Sequence, residues 1–164
     1  MLNFSMKKIL ISILLCSFST AYAQQYKTAI GVKGAWSNLD VAVADFSVKH
    51  FFDSPNALEI NFGGRRSMSW IQVMYAHNTS LGKGVDWYWA LGGDVGVWRK
   101  NYIHLNNGNQ YRGFWLGLDG SLGLEYTFEA FPINVSLDFG PTIRTIPYID
   151  IGVMSGFSCR FAIK

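Results

Sequence analysis

The chain has 164 residues, the size of one domain, with 49% hydrophobic, 16% aromatic and only 15% charged residues, 17 glycines and six tryptophans. Soluble domains carry about 25% charged residues, so this composition argues against a disordered chain, a coiled coil or a nucleic-acid binder and points to a membrane. Beyond residue 23, however, no run approaches the ~18 uninterrupted apolar residues of a spanning helix.

Residues 1–23 have the layout of a cleaved secretion signal: Lys7 and Lys8, an apolar stretch over 9–18, then Ala21-Tyr22-Ala23 as an A-x-A site. Leu15 precedes Cys16 where a lipidation site would have Gly or Ala, so ordinary cleavage is expected, with a barrel domain over 24–164. Without Lys7 and Lys8, 12 Lys and Arg face 11 Asp and Glu, a formal charge of +1, which implies no polyanionic partner such as nucleic acid. Cys159 is then the one cysteine of 24–164, so no intramolecular disulfide is available.

From residue 24 onward, apolar and polar residues alternate with period 2 in eight segments of about ten residues, each bounded by turn signals. Strand 1 sets Thr28, Ile30 and Val32 against Lys27, Ala29, Gly31 and Lys33. Strand 2 sets Phe46, Val48 and His50 against Ser47 and Lys49, but Val41 and Val43 share the parity of Asp45, so a bulge or register change is expected there. Strand 3 opposes Leu58, Ile60 and Phe62 to Glu59, Asn61 and Arg65, and strand 4 opposes Ile71, Val73 and Tyr75 to Gln72 and Met74. Strand 5 places Trp87, Trp89, Leu91, Val95 and Val97 opposite Tyr88, Ala90, Gly92, Asp94 and Gly96. Strand 6 is the clearest, with Leu116, Leu118, Leu122, Leu124, Tyr126 and Phe128 against Gly117, Asp119, Ser121, Gly123, Glu125 and Thr127. Strand 7, over 133–140, opposes Ile133, Val135, Leu137 and Phe139 to Asn134, Ser136 and Asp138. Strand 8 opposes Ile151, Val153, Phe157, Cys159 and Phe161 to Gly152, Met154, Gly156, Ser158 and Arg160.

Connections after even strands are Asp53-Ser54-Pro55-Asn56, a turn over 78–84 and 128–132, while the longest, 99–112, follows an odd strand. Short inner turns and longer outer loops characterise outer-membrane barrels, although Arg66-Ser67-Met68 is very short for an outer loop. Period alone does not say which face is inside, because a soluble lipocalin-like barrel buries its apolar face and a membrane barrel reverses this. Three features favour the membrane arrangement. The charged face is also the glycine-rich face, as a narrow lumen requires. Trp36, Trp70, Trp98 and Trp115 fall at the outer strand ends and Trp87 and Trp89 near an inner end, the placement of interfacial girdles. The large apolar residues, summed over eight strands, would crowd a small interior. In hydrocarbon every backbone polar group needs a protein partner, so the strands are expected to close.

Segments such as Lys49-His50-Phe51-Phe52 followed by Ala57-Leu58-Glu59, Asp86-Trp87-Tyr88-Trp89 with Gly92-Gly93, Gly117-Leu118-Asp119-Gly120 and Gly123-Leu124-Glu125-Tyr126 resemble those of small eight-stranded OmpA/OmpX-type outer-membrane barrels, in particular short secreted ones of Bacteroidota. The resemblance covers the chain from residue 24 and implies a closed eight-stranded antiparallel up-and-down transmembrane β-barrel. Such barrels usually end in an aromatic residue, whereas this chain ends Phe161-Ala162-Ile163-Lys164.

The inner face collects five cations and five anions in two rough layers, Lys33, Arg65, Asp94, Asp119 and Asp138 towards the outer side and Lys27, Lys49, Arg160, Glu59 and Glu125 towards the periplasm. A salt-bridge network plugging the lumen is the expected use, because unpaired buried charge is costly. A metal at Asp94, Asp119 and Asp138 is the rival, weakened by the cations at similar height. Tyr88, Trp98, Trp115 and Met154 have inward parity, which argues against open conductance. Of the three histidines, His50 and His77 lie at inner turns, and His104 has neither serine nor acid near it in 99–112 to complete a triad. Arg99, Lys100, Tyr102, His104, Tyr111 and Arg112 make the outer loop basic and aromatic, suited to lipopolysaccharide phosphates or to a surface ligand or protein partner. The expectation is a monomeric barrel of the cell outer membrane with a structural or surface-interaction role, no cofactor and no catalysis. A lipid-modifying enzyme barrel and a soluble periplasmic lipid-binding barrel are the alternatives.

Overall fold

A computed structural model describes residues 26–39, 43–103 and 110–163, which leaves the expected signal segment 1–23, Val41 and His104 outside. The described residues form strands and turns, with no helix. The strands are β1 (Thr28–Ser37), β2 (Val43–Asp53), β3 (Asn56–Arg65), β4 (Met68–Gly82), β5 (Val85–Ile103), β6 (Gln110–Thr127), β7 (Ile133–Ile146) and β8 (Asp150–Ile163). Each strand pairs antiparallel with its sequence neighbour, and β1 pairs with β8 from Thr28↔Ile163 to Ser37↔Met154, so the sheet closes as an eight-stranded up-and-down barrel. Closure leaves no edge strand with unpaired N–H and C=O groups.

The period-2 pattern of the sequence becomes two faces. On β6, Leu118 is 58% and Leu122 63% exposed, while their neighbours Asp119 and Ser121 are buried. The same alternation on β8 exposes Ile151, Phe157 and Phe161 and buries Ser158 and Arg160. The interior is therefore mixed, with apolar clusters around Tyr88 and Trp115 and many polar groups: Lys49, Asn61, Asn134, Ser47 and Ser158 are among the most deeply buried side chains. One end of the barrel carries the turns at 54–55, 83–84 and 128–132 (the turn end); the other carries the β1–β2, β3–β4, β5–β6 and β7–β8 connections (the loop end). The β4–β5 turn needs glycine, because Gly82 and Gly84 have φ of 91° and 79°.

Several elements differ from the sequence expectation. The 99–112 loop is mostly strand: β5 and β6 run for 19 and 18 residues, Tyr102 pairs with Tyr111, and a register shift lies between Trp98 and Tyr102. Arg99, Lys100 and Tyr102 thus belong to β5, and Tyr111 and Arg112 to β6. The 78–84 turn shortens likewise, because β4 continues to Gly82 and buries Asn78. In β2 the register with β1 is regular from Val43 to His50, and the irregularity sits at the other end, between Phe51 and Asp53. Strand β7 extends past Gly140 to Ile146 and carries Arg144 into the lumen.

Candidate functional site

Among the described residues, the lumen is where ionisable side chains gather away from water, and the inward parity of β1, β2, β3, β6, β7 and β8 supplies them. At its centre Lys33 Nζ donates to Glu59 Oε1 (2.9 Å) and lies 3.0 Å from Asp138 Oδ2. The Arg160 guanidinium meets the same Glu59 oxygen at 3.0 Å and donates through Nε to Ser47 Oγ (2.9 Å). Tyr88 OH donates to Asp138 Oδ2 (3.0 Å), and Asn61 Nδ2 donates to Glu59 (3.0 Å). Towards the turn end, Lys49 Nζ donates to Glu125 Oε2 at 2.6 Å, and Tyr26 OH and Asn78 Nδ2 donate to Glu125 Oε1 at 2.8 and 3.1 Å. Lys49 also lies under the Tyr88 ring, 4.4 Å from its centroid. These groups hold three formal cations against three formal anions, each in contact with more than one partner once the ring faces around Lys49 are included, which is the condition for burying charge without a large penalty.

The sequence-derived residues fall into three sets. Lys33, Lys49, Glu59, Glu125, Asp138 and Arg160 come together in this network. The two-layer division does not hold, since Lys33 joins Glu59 of one layer to Asp138 of the other. Asp94 and Asp119 lie nearer the loop end, where Trp115 Nε1 donates to Asp94 and Gln72 Nε2 donates to Asp119 Oδ2 (2.7 Å). Lys27 and Arg65 keep inward parity but are exposed, because they sit where β1 begins and β3 ends and the lumen opens to solvent.

Sequence reasoning missed Tyr26, Asp45 and Arg144, all buried inside. Arg144 packs against two neighbouring indoles, its guanidinium carbon 5.3 Å from the ring centroids of both Trp98 and Trp115. Its parity with Asn134, Ser136 and Asp138 was the available signal.

The six tryptophans divide by face. Trp36 and Trp87 are exposed on the outer face, and Trp89 stacks on His77 with 5.6 Å between centroids. Trp98 and Trp115 are buried in the lumen 4.7 Å apart, and Trp70 packs against them. The interfacial-girdle expectation therefore needs correction for Trp70, Trp98 and Trp115, whose inward parity outweighs their position at strand ends.

Of the loop-end group, Arg99 is exposed and its Nη2 donates to Ser69 Oγ at 2.7 Å. That bond brings it beside the β3–β4 turn, where Arg65 and Arg66 are also exposed. His50 Nδ1 lies 2.8 Å from Thr28 Oγ1, and His77 Nδ1 lies 2.9 Å from Asn56 Oδ1.

A closed eight-stranded antiparallel barrel with charge inside and apolar residues outside defines the fold class of the small outer-membrane barrels. The fold is similar to the N-terminal β-barrel domain of Pseudomonas aeruginosa OprF, with TM-score 0.56 and 11% identity over 84% of this chain and 100% of that one. It is also similar to Neisserial surface protein A (NspA), with TM-score 0.53 and 10% identity over 83% and 96% of the two chains. At such identity the likeness concerns the fold. No protein family and no curated protein matches the sequence.

Proposed function

We propose that this chain is an outer-membrane β-barrel with a structural or surface-interaction role, its lumen closed by the Lys33–Glu59–Arg160 and Lys49–Glu125 ion pairs, and that it performs no catalysis. One observation carries the reading. Large apolar residues on all eight strands, among them Val32, Phe46, Phe62, Leu91, Leu122, Leu137 and Phe157, are exposed on the outer face while the charges are buried. In water this arrangement would expose far more contiguous apolar surface than a soluble monomer carries; in hydrocarbon it is the favourable one. The shared fold of the OprF barrel domain and NspA supports the same location. The segments Lys49-His50-Phe51-Phe52 and Asp86-Trp87-Tyr88-Trp89 support a place among Bacteroidota-like members, and the A-x-A site supports export after cleavage at residue 23. The test is fractionation and gel mobility: the protein should partition with outer membranes, need detergent for extraction and migrate differently before and after boiling. Release into the aqueous periplasmic fraction would favour the soluble barrel instead.

The loop end supports a surface contact with phosphorylated lipid. Arg65, Arg66 and Arg99 are exposed together there, and Lys100 and Arg112 follow on the extended β5–β6 ribbon. Arginine pairs with phosphate through two parallel N–H bonds, so this basic rim suits lipopolysaccharide phosphates. Replacing Arg66 and Arg99 by Gln should weaken retention of lipid A during purification, and undiminished retention would remove this contact. Deleting 106–110 tests the remaining protein-partner reading through loss of adhesion or partner capture.

A further inference from the structure

The two ends of the outer face differ in charge. At the loop end Arg65, Arg66 and Arg99 are exposed, whereas at the turn end a cross-strand row runs Asp53, Asn56, His77, Trp89 over β2 to β5 and contains no lysine or arginine. The register irregularity after Phe51 sets Asp53 opposite Asn56, so its exposed carboxylate shares the face of that row. Asp53 and the exposed Ser54 lie where the outward apolar run Phe62, Ile60, Leu58 of β3 ends, which is the depth of lipid head groups on a membrane barrel.

The contacts of His77 define what this row can bind. Asn56 Oδ1 accepts from the Tyr75 hydroxyl at 2.7 Å and lies 2.9 Å from His77 Nδ1. A carboxamide oxygen only accepts, so Nδ1 carries the hydrogen and the lone pair of the neutral imidazole is left at Nε2. Among the described residues Nε2 has no hydrogen-bond partner, and it is open to the surface rather than sealed inside. The ring is held in place by its stack on Trp89, 5.6 Å between centroids and 22° between planes, and Tyr75 lies 5.7 Å from the same indole.

Every group here suits a cation that carries hydrogens: Nε2 accepts, the Asp53 carboxylate attracts, and the faces of Tyr75 and Trp89 favour positive charge. We infer that this row binds the primary ammonium head group of phosphatidylethanolamine in the leaflet at the turn end, the ammonium donating to His77 Nε2 beside the two rings and Asp53. The inference rests on the outer-membrane reading, which sets the row against lipid. A choline head group carries the same charge with no N–H to donate, and phosphatidylglycerol carries no cation.

The experiment refolds the protein into liposomes of phosphatidylethanolamine, phosphatidylcholine and phosphatidylglycerol with identical acyl chains at pH 8, extracts it in mild detergent and counts the retained lipids by native mass spectrometry. Phosphatidylethanolamine should be retained about tenfold over phosphatidylcholine, the effect of one hydrogen bond from a charged donor. His77→Phe keeps a ring on Trp89 but removes Nε2, so it should bring phosphatidylethanolamine down to the phosphatidylcholine level and leave phosphatidylglycerol unchanged. Equal retention of the two amine lipids by the unaltered protein would overturn the inference. So would a preference that survives in His77→Phe, or a matching loss of phosphatidylglycerol there. Should His77→Phe fail to insert, shown by lost heat-modifiable mobility, the comparison of the two amine lipids on the unaltered protein still decides. A chain that never enters the liposomes overturns the outer-membrane reading and this inference with it; insertion without the preference overturns the inference alone.

Discussion

The indole of Trp115 occupies the space that a β-carbon on Gly96, its cross-strand partner, would fill. The pairing explains why β5 carries glycine inside a long strand, where the residue is otherwise unfavourable. Tyr88 and Gly123 repeat the relationship on the same two strands, with the phenol ring 2.5 Å from the ideal β-carbon position. At these two positions a large ring enters the narrow lumen over a glycine. Gly96→Val should therefore destabilise the barrel by about 1–3 kcal/mol through overpacking. Combining it with Trp115→Ala should cost less than the sum of the single changes in urea unfolding from liposomes.

The Lys49–Glu125 pair predicts a different asymmetry. Both side chains are withdrawn from solvent and 2.6 Å apart, so Lys49→Met leaves a buried carboxylate with only neutral donors, Tyr26 and Asn78. The single variant should lose about 3–5 kcal/mol of unfolding free energy. Adding Glu125→Gln should restore a large part of it, because the remaining groups are neutral and hydrogen-bonded. Additive losses in the double variant would show that the pair is not coupled.

Arg144 lies against the ring faces of Trp98 and Trp115. Arg144→Lys keeps the charge but loses the planar group that lies against both Trp98 and Trp115. A loss of about 1–2 kcal/mol is expected, with a change in near-ultraviolet circular dichroism from the reoriented indoles. An unchanged spectrum and midpoint would show that charge alone sets the arrangement.

Much of this architecture was written in the sequence because neighbouring residues differ sharply in chemistry. Along β6 every leucine is followed by Gly, Asp or Glu, so the two faces could be read residue by residue. The pattern failed where its contrast failed. The alternation persists after Gly140, but Pro141, a residue rarely found inside a strand, masks it, so the end of β7, and Arg144 with it, was not recognised. Val43 beside Asp45 blurred the parity of β2, and Asp45 was not assigned to the lumen. Trp98 and Trp115 carried two conflicting signals. Parity placed them inside, while their position near strand ends matched an interfacial belt, and parity prevails: the structure seats them inside at the loop end. Which cation meets which anion could not be read at all, because Lys33 reaches from β1 to β3 and β7 across the lumen.

The central claim is that the apolar outer face meets lipid, and Cys159 reports on it directly. It is exposed on the outer face of β8 between the buried Ser158 and Arg160. With Cys16→Ser removing the other cysteine, an environment-sensitive maleimide dye on Cys159 can be followed in protein refolded into liposomes. The account predicts blue-shifted emission that is quenched by nitroxides on the lipid acyl chains and untouched by aqueous iodide; quenching by iodide with no effect of the lipid nitroxides would contradict it.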